Sequence, residues 1–227
     1  MTPEVCRAVL ANSSGRLDFA QDLILGRQNF SARRLVEPGP SEDELGAVFD
    51  AAAAAPDHGQ LTPWRFVVIP VESRQCLGEV FRSELLQRDP EATEQQQLAA
   101  LDKARNAPCL LLAIVDLAGN QKLVPAVERI ISLGCAIQNM LVMARAMGYE
   151  SGLSSGQALG AQGFRRAFGL AADEVAACFV SFGTANKPKP LRKKPPAAQF
   201  VSVFQDLAEL TPASEAGKTR GETQVSY

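Results

Sequence analysis

Histidine is nearly missing from this chain. His58 is the only one in 227 residues, which argues against a His-rich metal centre. Cysteine is sparse too. Cys6, Cys76, Cys109, Cys135 and Cys178 are odd in number, widely spaced and form no C-x-x-C pair. Three of them lie in apolar runs, so they read as buried free thiols in a reducing compartment rather than a disulfide framework or a zinc site. Charge of one sign is also lacking. The 23 basic and 25 acidic residues leave a net charge of −2, with no basic field to attract nucleic acid. No run of 18 or more residues is free of polar groups, so no membrane span is expected. The apolar piece Ala8–Ala11 is too weak for a secretory signal, and the expected compartment is the cytoplasm. Neither G-x-G-x-x-G nor G-x-x-x-x-G-K-[ST] occurs, so a Rossmann dinucleotide site and a P-loop lack support. There is no G-x-S-x-G, and the lone histidine has no nucleophile partner nearby in sequence.

Apolar residues make up 46% of the chain, enough to fill a sizeable core in one large domain. Residues 1–16 read as a flexible leader, 17–207 as a single domain and 208–227 as a disordered tail. A helix is expected over Leu17–Arg27. Ser41-Glu42-Asp43-Glu44 is a capping box that starts a second helix running to Ala54. Arg65–Pro70 reads as a buried strand, residues 72–88 and 91–106 as amphipathic helices, and Cys109–Val115 as another buried strand. Pro125 opens a helix that runs to Met147 and is apolar on nearly every face, which suits a central or interface position. A short strand at Glu150–Leu153 and a helix over 157–168 follow. A last strand, Val175–Phe182, is expected to stop at Gly183. Lys187–Pro196 reads as a basic, proline-rich extended arm. Helices dominate and the strands do not alternate evenly with them, so the fold class is α+β.

The densest polar cluster is the loop after the second helix. Two prolines fix it, and Asp57, His58, Gln60 and Thr62 supply four hydrogen-bonding side chains within it. That inventory suits a polar planar ligand; the plain alternative is a tight helix-to-strand connection. Three further clusters sit at element ends, where folds place ligand groups. Ser31, Arg33 and Arg34 form a phosphate-type donor set or a solvated helix end. Ser154-Ser155-Gly156 presents backbone N–H groups to a ring or simply caps a helix. Lys187–Lys194 reaches a phosphate or is a linker.

Taken in order, these residues resemble the FMN-dependent nitroreductase family. The resemblance rests on Ala55-Pro56-Asp57-His58 followed by Pro63-Trp64 and Phe66. It rests also on Lys103–Pro108 before a strand, on Gly148-Tyr149 with Gly152-Leu153 and Ser155-Gly156, and on Gly183-Thr184. It runs from about Asp22 to about Phe204 and points to a compact branch carrying A-P-D-H. It implies a nitroreductase-like α/β sandwich, with a mixed, mostly antiparallel central sheet flanked by helices, in an intertwined homodimer with FMN at the interface. By that resemblance, Ser31 and Arg33, with Asn29 beside them, lie at the ribityl and phosphate end; Arg192 or Lys193 is expected to add a second cation. His58, Gln60 and Thr62 reach the flavin from the partner, and Leu153, Ser154, Ser155 and Gly156 lie along the ring. Strand-like alternation puts His58, Gln60 and Thr62 on one side.

The implied activity is hydride transfer from NADH or NADPH through FMN to a small-molecule acceptor: a nitroaromatic, quinone or enone. No catalytic side chain is implied, because the chemistry belongs to the cofactor. Two departures stand out. Asn29 occupies a position where the family usually has arginine, and Ser154 one where this branch tends to have arginine beside the flavin. They motivate an alternative, a flavin-binding protein without turnover: a sensor, a store or a degenerate family member. A third reading is a biosynthetic flavin enzyme acting on a peptide or thioether, since no motif fixes the lining residues in 72–106.

Overall fold

The structure, a computed structural model, describes residues 13–118 and 124–202. The chain divides into two compact units, residues 1–191 and 192–227. The described part of the second, 192–202, contains one 3-10 turn, Ala197–Gln199. The tail expected over 208–227 and most of the expected leader lie outside the described residues.

A five-stranded sheet organises the first unit, and every named pairing in it is antiparallel. Strand β3, Cys109–Asp116, buries every residue from Leu110 to Val115. A consecutive apolar run of that kind is what a strand covered on both faces requires. It pairs with the edge strand β2, Trp64–Val68, on one side and with β5, Glu174–Ala185, on the other. On the far side of β5, β4 (Glu150–Ser154) and β1 (Leu35–Val36) lie end to end, with Glu150 opposite Gly183 and Val36 opposite Thr184. The α+β expectation holds, and the only parallel pairing among the described residues is the isolated bridge between Asn29 and Ser151.

Gly183 does not end β5. A Cβ there would meet the Pro108 ring at 2.7 Å and the Val36 carbonyl at 3.1 Å. Glycine lets a neighbouring chain close over a continuous strand at this point.

Among the described residues, six helices accompany the sheet. Helix α1, Ser13–Gly26, starts earlier than the expected Leu17. Helix α2, Glu42–Ala53, opens on the capping box read from the sequence: the Glu44 amide donates to Ser41 Oγ, and Glu44 Oε2 accepts from the Ser41 amide. Helix α3 is Arg74–Arg88, and α4 is Glu94–Lys103 with an unforeseen second capping box from Thr93 and Gln96. Helix α5 is Ala126–Ala146. The helix expected over 157–168 is instead a 3-10 turn, Gln157–Gly160, and a short helix α6, Gln162–Ala167, parted at the extended Ala161. Two glycines weaken helix propensity here, and Glu84 lies against Gly163 where a Cβ would intrude.

Two cores result, one on each face. Val48 and Ala52 of α2, with Leu133, Ile137, Met140 and Leu141 of α5, pack on Leu111, Ala113, Val115, Val180 and Phe182. On the other face Leu77, Leu159 and Phe164 pack on Leu110, Leu112, Ile114 and Phe179. Helix α5 is long and apolar enough by composition to cross a membrane, yet here one side of it is core. Its other apolar residues, Val127, Ile130 and Ile131, are more than half exposed in the single chain.

Arg74 is a buried cation, 4% exposed. Its guanidinium donates to the carbonyls of Ile69, Ala104, Asn106, Ala107 and Pro108, and so ties α3 to the entry of β3. Burial pushes the neighbouring Cys109 thiol up to about 11, where it is inert at neutral pH. Replacing Arg74 with leucine strands several buried carbonyls. The expected loss is about 3 kcal/mol of unfolding free energy, read by urea denaturation; a loss under about 1 kcal/mol contradicts this role.

Candidate functional site

The segment between α1 and β1 is built into the edge of the sheet by polar contacts. The Phe30 amide donates to the Ser151 carbonyl at 2.9 Å. The Asn29 side chain closes a two-way clamp on Leu153: its Oδ1 accepts from the Leu153 amide at 2.6 Å, and its Nδ2 donates to the Leu153 carbonyl at 3.3 Å. Gly152 makes this approach possible, because a Cβ there would run into the Phe30 carbonyl. Where a cation was expected by resemblance, the chain therefore has a structural amide.

The first residues of the proline-rich arm, 187–189, fold onto the same segment. Gln28 Nε2 donates to the Lys189 carbonyl, and Lys189 Nζ donates to the Asn29 carbonyl, each at 2.8 Å. Arg34 donates to the carbonyls of Lys187 and Pro188. The Arg34 guanidinium and the Lys189 ammonium lie 5.6 and 5.9 Å from the Phe30 ring centroid, within cation–π range.

Three of the four sequence clusters thus converge. The 3-10 turn Ala32–Arg34 packs against β4, and Ser154-Ser155-Gly156 continues that strand. Ser31 and Arg33 are exposed, and their side chains have no partner among the described residues; Ser31 precedes the turn without capping it. Ser154 and Ser155 are exposed as well, and no side chain caps the turn that follows. Three buried oxygens at this crossing have no partner: Gln28 Oε1, Ser151 Oγ and Ser181 Oγ. Unpaired buried polar atoms cost about 1–3 kcal/mol each and point to something still to be bonded. Arg192 belongs to the second unit. The cation seen against Asn29 is Lys189, which the sequence hid inside a Pro-Lys-Pro stretch.

Donors dominate this set: a hydroxyl, a guanidinium and an ammonium, with backbone N–H groups following. Such a set fits an anionic phosphate joined to a hydroxyl-bearing chain, as in FMN.

The fourth cluster lies elsewhere in the same chain. The loop of His58 leads into β2, at the opposite edge of the sheet from β4. Three strand spacings, about 14 Å, separate those edges, and no hydrogen bond or ion pair among the described residues joins the two regions. The expectation that Gln60 and Thr62 share a side through strand-like alternation fails. Gly59, Gln60 and Thr62 have φ of 75°, 53° and 44°, so the loop coils rather than extends. Asp57 holds the coil, its Oδ2 accepting from the Thr62 amide at 2.6 Å. Left-handed backbone at a β-branched residue is rare and costs about 1–3 kcal/mol. Such strain concentrates at functional loops.

The Asn29 clamp predicts a measurable stability effect. Asn29→Ala removes both bonds to Leu153 and is expected to lower unfolding free energy by about 1–3 kcal/mol, seen as a reduced thermal midpoint. An unchanged midpoint contradicts the clamp.

A family model described as "Nitroreductase family" matches residues 27–184. The chain is 33% identical over 189 residues to the Escherichia coli K12 protein named "Putative NAD(P)H nitroreductase YdjA", covering 82% of this chain and 99% of that one. It is 29% identical over 154 residues to a Haemophilus influenzae protein named "Putative NAD(P)H nitroreductase", covering 68% of this chain and 83% of that one. Among solved structures, a nitroreductase-like family protein from Bacillus cereus superposes with a TM-score of 0.68 at 17% identity, covering 83% of this chain and 96% of the other. The FMN and NADPH-dependent nitroreductase NfnB from sphigopyxis sp. strain HMH superposes at 0.65 and 14% identity, covering 82% and 99%. At such identities the two structures speak for the fold alone. The family match and the Escherichia coli relative carry the assignment: this chain belongs to the nitroreductase family.

Proposed function

We propose that this protein is an FMN-dependent oxidoreductase that takes a hydride from NADH or NADPH and delivers it to a nitroaromatic, quinone or enone acceptor. The observation that supports the proposal is that the segment carrying Ser31 and Arg33 meets both β4 and the stretch carrying Lys189, next to buried oxygens that lack partners. One structural neighbour is described as FMN- and NADPH-dependent, which agrees with a flavin phosphate as the ligand.

When bound, the flavin supplies the hydride chemistry. The chain supplies grip and orientation. The Arg33 guanidinium offers a planar fork for the phosphate, and Ser31 donates a hydroxyl to the phosphate or ribityl chain. Lys189, anchored on the Asn29 carbonyl, adds the positive charge that Asn29 does not. Leu153, Ser154, Ser155 and Gly156 lie along the ring edge.

His58, Gln60 and Thr62 serve the flavin of a partner copy in a homodimer, since their loop is remote from β4 in their own chain. The exposed Val127, Ile130 and Ile131 on α5, with Leu17, Phe19, Ile24 and Leu25 on α1, are the apolar surface such a dimer would bury.

The commitment of Asn29 to Leu153 favours one rival, a flavin-binding protein without turnover. Bleaching of the bound flavin by NADPH separates the two, because a binder without turnover stays yellow.

Two outcomes are expected. Arg33→Ala weakens FMN binding about 10- to 100-fold with the thermal midpoint of the apoprotein unchanged, and Arg33→Lys restores part of it; full flavin content in Arg33→Ala overturns the phosphate assignment. Ile131→Asp yields monomers in sedimentation velocity and loses FMN along with the dimer. A wild-type protein that sediments as a well-folded monomer at micromolar concentration overturns the interface.

A further inference from the structure

His58 is held from outside its own loop. Its Nδ1 lies 2.5 Å from Glu128 Oε2, seventy positions along the chain and in the first turn of α5. An ionised carboxylate only accepts hydrogen bonds, so Nδ1 is the nitrogen that carries hydrogen in this contact. Nε2 has no partner among the described residues, and the His58 side chain is 66% exposed. Exposed pairs of this kind add little to stability. What the contact does fix is the tautomer and the direction of the ring.

The loop and the two elements it joins, α2 and β2, are held along one line of α5. Glu128 meets His58, Ser132 Oγ accepts from Trp64 Nε1 at 3.0 Å, and Asn139 Nδ2 donates to the Ala51 carbonyl at 3.1 Å. Positions 128, 132 and 139 fall on one face of a helix. The charged neighbours of the pair are accounted for as well. Asp57, on the loop, accepts from the Thr62 amide. Arg129, the next residue on α5, is buried and turned toward the Val124 carbonyl and Asp116.

We propose that Glu128 is a positioning residue that locks hydrogen on His58 Nδ1 and so makes Nε2 the atom presented to the flavin. This rests on the reading that His58 meets the cofactor of a partner copy. It has a consequence that a merely structural contact lacks. Protonated His58 donates from Nε2–H to a flavin oxygen. When the ring loses its proton, the lock keeps the remaining hydrogen on Nδ1, so Nε2 becomes a lone pair and no longer donates. FMN affinity is therefore higher while the ring is protonated and falls when the ring loses its proton. Without Glu128 the neutral ring takes up hydrogen on Nε2 and still donates, so the dependence disappears.

A single histidine makes the test unambiguous. Protein labelled with 15N-histidine gives the tautomer of His58 by NMR, and fluorescence titration gives FMN affinity between about pH 5 and pH 8, the range in which histidine changes charge. Wild-type protein should show neutral His58 with hydrogen on Nδ1 and an affinity that falls about tenfold across that range, the loss of one charge-assisted hydrogen bond. Glu128→Ala should move the hydrogen to Nε2, flatten the pH profile to within about twofold and leave the thermal midpoint unchanged. Neutral wild-type His58 with hydrogen on Nε2, or an unflattened profile in Glu128→Ala, overturns the proposal by itself. His58→Ala binding FMN as tightly as wild type at every pH overturns the placement of His58 at the flavin, and this proposal with it. If wild-type protein takes up no FMN, the cofactor assignment fails, while the NMR tautomer still decides whether Glu128 holds the lock.

Discussion

Strand β5 is the constraint on which the rest of the structure depends. Its twelve residues pair with β3 along one side and with β4 and β1 along the other. The strand alternates Val180 and Phe182 toward one core with Phe179 and Ser181 toward the other. Gly183 lets Pro108 and Val36 close over it without a break. Shortened at that glycine, β5 would lose β1 and the Glu150 end of β4. The segment 28–34 would then have no strand edge to dock on, and the donors Ser31, Arg33 and Lys189 would scatter.

Helix α5 divides the candidate site in two. Its C-terminal end leads through Gly148 into β4, beside the phosphate-type donors. Its N-terminal end carries Glu128, which holds the His58 loop. At 1.5 Å per residue those ends are about 30 Å apart, so one chain does not wrap both around one small cofactor. The proposed homodimer would have to bring the N-terminal end of one copy's helix to the β4 end of the other's. The separation seen within the monomer is what a shared, interfacial site requires of each half.

Much of this was legible in the sequence, and the reasons differ by element. The Ser41 capping box and the buried run of β3 follow from local chemistry and from periodicity, both of which a single chain displays. The loop around His58 announced itself by composition. The course of β5 through Gly183 was hidden because glycine reads as a break when the crowding that demands it comes from residues far away in sequence. The split at Ala161 was missed for a related reason, since Glu84 fills the space beside Gly163. Gln60 and Thr62 misled because alternation was assumed where three residues are left-handed. Lys189 showed only as one cation among several in a basic arm, and Glu128 gave no local signal at all. Each matters through a partner reached only by folding, across 160 and 70 positions.

The central claim is that the donors gathered on segment 28–34, β4 and the arm form a phosphate grip for a flavin. Parallel titrations of the apoprotein with FMN and with riboflavin, followed by flavin fluorescence, test it most directly, because the two ligands differ only in the phosphate. The account predicts that FMN binds at least about 100-fold more tightly, the contribution of two charge-assisted hydrogen bonds. Equal affinity for the two ligands would contradict it.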